Sequence, residues 1–126
     1  QDGTIIAVEA SGVSEALAVL ERCVRSTGTF ASSREARALI AQAVDVVVQV
    51  VRFADGSLRV GGIHEVLGLE VDLPITQEIF SFRRQGIGDD GQVRGKYLAN
   101  GIPPRFYDEL EARGYQLDLQ IFNDNP

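Results

Sequence analysis

The chain has 126 residues, enough for one domain with a modest core, and carries a formal net charge of −6. That acidic balance argues against a nucleic-acid binder, which needs a basic face, and against a basic helix lying on a membrane surface. The single cysteine, Cys23, excludes an internal disulfide, and no apolar run approaches the roughly 20 residues that a membrane span requires.

No signal peptide is visible, and the first residue is Gln1 rather than Met, so we take the chain as part of a longer protein. After an Asp2-Gly3 turn, residues 4–8 (Thr-Ile-Ile-Ala-Val) are apolar without alternation, which predicts a strand buried on both faces. Glu9-Ala10-Ser11-Gly12 breaks the run. The spacing of Val13, Ala16, Leu17, Leu20 and Val24 then predicts a helix over 13–26, capped by Ser11 or Gly12 and stopped at Gly28, with Cys23 beside its apolar face as a small core residue. Ser32-Ser33-Arg34-Glu35 reads as a capping box opening a second helix to about residue 43. Ala36, Leu39, Ile40 and Ala43 would be its buried stripe, and Asp45 marks the change to strand period.

Residues 46–70 organise the rest. Two β-branched runs flank Asp55-Gly56, a pair suited to the positive φ of a tight turn, and together they predict a hairpin. The first run is apolar on both faces, with Val46, Val48 and Val50 pointing one way and Val47, Val51 and Phe53 the other, so other elements are expected to cover it. A turn at 71–74, a strand over 75–83, a Gly- and Asp-rich loop over 85–92 and a short edge strand over 93–99 follow. Pro103-Pro104 should open a helix to Arg113, anchored by Phe106 and Leu110 and stopped by Gly114. Residues 115–122 alternate in hydrophobicity and should dock in extended form, with 123–126 frayed. The whole reads as α+β: an antiparallel hairpin sheet with two N-terminal helices and one C-terminal helix.

The residues alone offer no self-sufficient active site. Gly86-Ile87-Gly88-Asp89-Asp90-Gly91 has the letters of G-x-G-x-x-G, but a strand rather than a helix follows, and two aspartates would repel a phosphate; it reads as a hairpin loop. The run Gly91 to Tyr97 is one residue short of a P-loop and has Tyr97 where Ser or Thr must hold magnesium, leaving Lys96 as a solvated edge-strand charge. His64 is the only histidine and has no zinc ligand set beside it. Thr4, Ser11 and Ser14 lack a His-Asp partnership, and Asp89-Asp90 and Asp108-Glu109 read as solvated turn and helix-start charges. Glu9 ends an apolar run, a position that catalytic and sensing residues favour in α/β sheets; capping or ion pairing is its plainer role.

Several stretches in one order carry a resemblance. The first comprises residues 2–11, then Glu15-Ala16-Leu17 with Leu20-Glu21. The second comprises residues 41–49 with Arg52 and Asp55-Gly56-Ser57. The third is Ile63, Glu65-Val66, Gly68 and Glu70, in an I-x-E-V-x-G-x-E pattern; the last is Ile79-Phe80-Ser81-Phe82 and Ala99-Asn100-Gly101-Ile102-Pro103 with Phe106. Taken together they resemble the type II/IV secretion-system ATPases of the CpaF/TadA branch, starting at the histidine box and covering nearly the whole chain.

The resemblance implies an α/β parent: a RecA-like motor that uses ATP and Mg to drive pilus assembly or protein secretion, working as a ring, usually hexameric, at the cytoplasmic face of the inner membrane. This chain would be the C-terminal part of that motor domain, as one domain over 1–126. Its partners would be other ring subunits and inner-membrane platform proteins. The P-loop, aspartate box and Walker B carboxylate would lie upstream of Gln1, so the chain alone is expected to be non-catalytic. The family carries a histidine, thought to sense the γ-phosphate, where this chain has Glu9, and an asparagine where it has Ser11. A carboxylate accepts but does not donate, and it repels phosphate. Glu9 and Ser11 would therefore form a degenerate sensing position. The other reading is a stand-alone, non-catalytic interaction module or degenerate paralogue of such an ATPase.

Overall fold

The computed structural model describes residues 3, 5–28, 32–116 and 118–122. The hairpin forms where the Asp-Gly pair places it. Strand β1 (Val46–Arg52) and strand β2 (Leu58–Glu70) pair antiparallel from Val46 opposite Glu65 to Arg52 opposite Leu58, with a bulge after Gln49. Phe53 N–H donates to the Ser57 carbonyl and Gly56 N–H to the Phe53 carbonyl, both at 2.9 Å, and Gly56 takes φ +85°. Strand β3 (Leu73–Ile87) and strand β4 (Val93–Ala99) complete an antiparallel meander in the order β1-β2-β3-β4. The β2–β3 connection is Val71-Asp72, both at positive φ (49° and 65°), as in a type I′ turn.

Three expectations on the sheet change. Strand β3 extends past 83 to Ile87, because its ladder with β4 continues across a bulge between Arg84 and Gly86. The expected 85–92 loop shrinks to a turn closed by Gly88 N–H to the Gln92 carbonyl at 2.8 Å. And β1 is not covered on both faces. It is an edge strand in which Val46, Val48 and Val50 are 39%, 52% and 60% exposed.

Helix α1 (Val13–Ser26) starts at Gly12, whose side chain can supply no cap; instead Glu15 accepts from Ser11 N–H at 3.2 Å and from Ser11 Oγ. Helix α2 (Ser33–Ala43) starts at Ser32, whose Oγ accepts from Glu35 N–H at 3.2 Å, the serine half of the capping box. The two helices pack together, and α2 lies on β2 and β3. Leu17, Ala36, Ile40 and Val66 are buried, while Leu39, Ala43 and Cys23 are exposed, so the expected apolar stripe is narrower than its spacing suggested and Cys23 is no core residue. Glu21 on α1 pairs with Arg37 on α2, and this hydrogen bond holds the Glu21 carboxyl below the usual range. Asp45 hands the chain to β1: its carbonyl accepts from Val66 N–H at 2.9 Å, starting the ladder one residue early.

Helix α3 (Phe106–Ala112) begins later than the prolines suggested, with the Pro104 carbonyl accepting from Tyr107 N–H at 3.1 Å. Its buried anchor is Tyr107, not Phe106 or Leu110, which are half-buried. The expected extended tail contains a 3-10 turn, Leu119–Phe122, which turns Phe122 into the core while Leu119 and Ile121 stay exposed. Ile79, Tyr107 and Phe122 form that core with Phe80 against it. Phe80 and Phe122 stack at 5.7 Å between centroids, and Tyr107 meets Phe122 edge-on at 6.0 Å. Residues 123–126, expected to fray, and Leu117 lie outside the described residues.

Residues 5–8, expected as a doubly buried strand, belong to no strand, and Ile5 is 98% exposed; Thr4 lies outside the described residues. An apolar run becomes a strand only where a neighbour accepts from its N–H groups and donates to its C=O groups, and the sheet offers this segment none.

Candidate functional site

Glu9 and Ser11, singled out by the sequence, both stand exposed on the segment entering α1. Ser11 is bound to Glu15 through its N–H and hydroxyl, which pulls the Glu15 carboxyl below its ordinary value. Ser11 thus serves the start of α1. Glu9 makes no hydrogen bond or ion pair among the described residues. The structure brings neither residue into a cleft.

A depression near 390 Å³ lies at the end of α3, lined by Glu111, Gly114, Tyr115 and Gln116, and a smaller groove, with a volume near 290 Å³, lies between α1, α2 and the start of β3. Leu17, Ala18, Ile40, Leu73 and Pro74 make its walls, and the Glu21–Arg37 pair sits in it. Arg37 Nη1 also donates to the Asp72 carbonyl at 3.4 Å, and Arg34 pairs with the Asp72 carboxylate at 3.0 Å. Each charge at the groove is therefore already neutralised by a neighbour.

Two carboxylates that sequence reading passed over do more. Asp55, in the first hairpin turn, has an 8% exposed side chain. Its Oδ1 accepts from Ser57 N–H at 2.9 Å and Ser57 Oγ at 2.6 Å, and its Oδ2 accepts from Val93 N–H at 2.7 Å on the far strand. The Ser57 hydroxyl, then the Val93 and Ser57 amides, hold its pKa down to about 2. Arg59 donates to the Val93 carbonyl at 2.7 Å and lays its guanidinium over Phe82 (5.2 Å to the centroid) and Phe53 (5.9 Å). One turn is thereby tied to the start of β4.

Glu65, on β2, is 4% exposed, and its partners are the N–H groups that begin α3. Oε1 accepts from Arg105 N–H at 2.8 Å and Oε2 from Phe106 N–H at 3.1 Å, while Arg105 reaches back to the Leu67 carbonyl. A buried carboxylate on a strand is the readable signal here: such a charge persists only when donors converge on it. Those donors lie 40 and 41 residues away.

The other sequence candidates are structural. The Gly-rich stretch ends β3 and turns into β4, with Asp90 accepting from Gln92 N–H at 3.0 Å and pairing with Arg94 at 2.8 Å. Gly95 to Tyr97 sit in β4 opposite Arg84 to Phe82, so their backbone belongs to the ladder and forms no phosphate cradle. Lys96 is exposed on that edge. His64 is half-buried in β2, opposite Val47 and Glu78. Among the described residues no three of His, Cys, Asp and Glu converge as a metal site, and no helix is long and apolar enough to cross a membrane. The arrangement fixes strands and helices to one another and exposes apolar surface at β1 and at residues 5–8. The chain matches no protein-family model and no curated protein.

Proposed function

We propose that this chain is the C-terminal portion of the motor domain of a secretion or pilus-assembly ATPase of the CpaF/TadA type, a non-catalytic region that contacts neighbouring parts of the motor. The observation that carries the reading is where the resembling residues fall. Asp55 of the Asp-Gly-Ser block holds the start of β4. Glu65 of the I-x-E-V-x-G-x-E block caps α3 at Phe106, a residue of the closing block. Glu65 and Phe106, 41 residues apart but both in the ordered pattern, thus depend on each other physically.

The chain's own residues do not fit ATP or magnesium. No phosphate cradle exists among the described residues, and Glu9, where the family places a donor, offers only an acceptor. Nucleotide and metal would be held by the upstream part of the parent protein, with this chain facing other ring subunits and platform proteins at the cytoplasmic side of the inner membrane. The glutamate at this position also gives weight to the reading of a degenerate paralogue with altered nucleotide sensing.

The test compares Mg-dependent ATP turnover by the full-length encoded protein, its Glu9→His variant and this chain alone. The reading expects turnover in the full-length protein, a changed rate in Glu9→His, and none from the isolated chain. A full-length protein without a G-x-x-x-x-G-K-[ST] segment ahead of residue 1, or turnover by the isolated chain that survives re-purification, overturns it. An unchanged rate in Glu9→His removes the sensing role alone.

A further inference from the structure

Helix α3 is held to the sheet by few ties. Asp108, Glu109, Glu111 and Ala112 are exposed, and α3 has no contact with a strand or helix as broad as that of α2 with β2 and β3. Glycines at positive φ stand on either side of it, Gly101 at +86° and Gly114 at +93°. Beyond Tyr107 in the core and the half-buried Phe106 and Leu110, its ties are Glu65, which accepts from the N–H groups of Arg105 and Phe106, and the Arg105 side chain on the Leu67 carbonyl. Directly across the β2–β3 ladder from Glu65 stands Gln77. Its Nε2 is buried and meets no acceptor among the described residues. Opposed residues of an antiparallel pair carry their Cβ atoms about 4.5–5.5 Å apart, so this amide is within reach of the Glu65 carboxylate. An unmatched buried donor raises the free energy of the docked state.

From this we infer that Glu65 is a two-position latch. With α3 docked, its carboxylate caps the helix. With α3 lifted from the sheet, it accepts from the Gln77 amide across the ladder, and the hairpin stays folded. The docked position matches the Arg105 and Phe106 N–H groups and leaves Gln77 Nε2 unmatched. The lifted position matches Gln77 and hands the two N–H groups to water. The carboxylate has a donor in both, so its charge does not oppose the motion. Burial of Tyr107 against Ile79 and Phe122 makes the docked position the ground state. Gly101 and Gly114 let the chain turn at both ends of the moving part, and seven residues do not hold a helix once they leave the sheet. Helix α3 is thus a strap that opens as a unit and uncovers Ile79. The inference is independent of the motor reading.

The experiment is native-state amide exchange on the purified chain, with the β1–β2 hairpin amides as internal reference. Amides of residues 105–113 should exchange through an opening roughly a hundredfold or more frequent than that of the hairpin. Gln77→Met keeps the length of the side chain and removes its amide. Losing the unmatched donor slows α3 and hairpin opening alike. Losing the bond of the lifted position slows α3 opening by roughly a further tenfold. Arg105→Pro fits the N-cap backbone at φ −63° and takes one donor from Glu65 without touching the core. It should speed α3 opening and turn the Gln77 amide onto Glu65, seen as a downfield shift and slower exchange of its side-chain NH2 signal. An α3 that exchanges only together with the hairpin overturns the inference. So does Gln77→Met slowing both by the same factor, or a Gln77 signal that Arg105→Pro leaves unmoved.

Discussion

Glu65 on β2 closes the open end of α3: its two carboxylate oxygens accept from the backbone N–H groups of Arg105 and Phe106. The helix has no cap of its own, since Arg105 at its N-cap makes no side-chain capping bond. With seven residues it is also too short to persist without tertiary support. Its place on the sheet therefore rests on this buried acid together with Tyr107, which packs into the core with Ile79 and Phe122.

Glu65→Ala should destabilise the protein by about 2–3 kcal/mol, because it removes a cap and leaves two partly buried donors unmatched. Glu65→Gln, with one acceptor oxygen remaining, should cost less. Urea unfolding gives the energies. Amide exchange at Arg105 and Phe106 should rise in Glu65→Ala well before the hairpin opens; equal protection in both proteins would contradict the capping role.

Val71 is a β-branched residue at φ +49°, a conformation that crowds its side chain, and it sits 89% exposed at the tip of a turn. Val71→Gly removes strain of about 1–3 kcal/mol against an entropic penalty of about 0.5–1 kcal/mol. The net expectation is a gain of roughly 1 kcal/mol, visible as a higher Tm. A loss of stability would mean that the valine side chain packs in a way its exposure does not suggest.

Asp55 makes stability pH-dependent in acid. Its folded pKa is lowered from 3.8 to about 2, so its contribution is fully present above 3.8 and disappears as pH falls through about 2. Asp55→Asn should be less stable than the parent at neutral pH, because the lost charge weakens acceptance from Ser57 and Val93. The gap between the two proteins should narrow across that window. A gap that stays constant with pH, measured by urea unfolding, would exclude the carboxylate as its source.

Gly95 lies under the Phe82 ring. A Cβ there would come within 2.6 Å of Phe82 Cζ and 2.4 Å of the Arg83 carbonyl oxygen. Gly95→Ala should therefore cost about 1–3 kcal/mol by overpacking. It should also disturb the edge-on contacts that Phe82 makes with Phe53 at 5.2 Å and Tyr97 at 5.1 Å, readable in the ring proton shifts.

The parts of the fold legible in the sequence are those whose cause is local. Asp55-Gly56 marks the hairpin turn because only a few residues accept the backbone it needs. Ser32 marks the start of α2 because its hydroxyl reaches an N–H three residues on. Strand β4 was expected over the residues where it occurs. The misses share another cause. Cys23 and Leu39 belong to helix faces whose width depends on what packs against them, and α3 turns Tyr107 inward because Glu65 sets its first turn. The Val71-Asp72 turn defied residue preference because the β2–β3 ladder on both sides holds it.

By itself, then, the amino-acid order determined the α+β class, the starts of α1 and α2, and the hairpin, all set by contacts a few residues long. Only the tertiary structure decided that Asp55 and Glu65 are the joints, that β1 is an open edge, and that residues 5–8 find no strand beside them. Each of these depends on partners tens of residues away, and the hydrogen-bonding state of a backbone group is a property of its neighbour in space rather than of its neighbour in the chain.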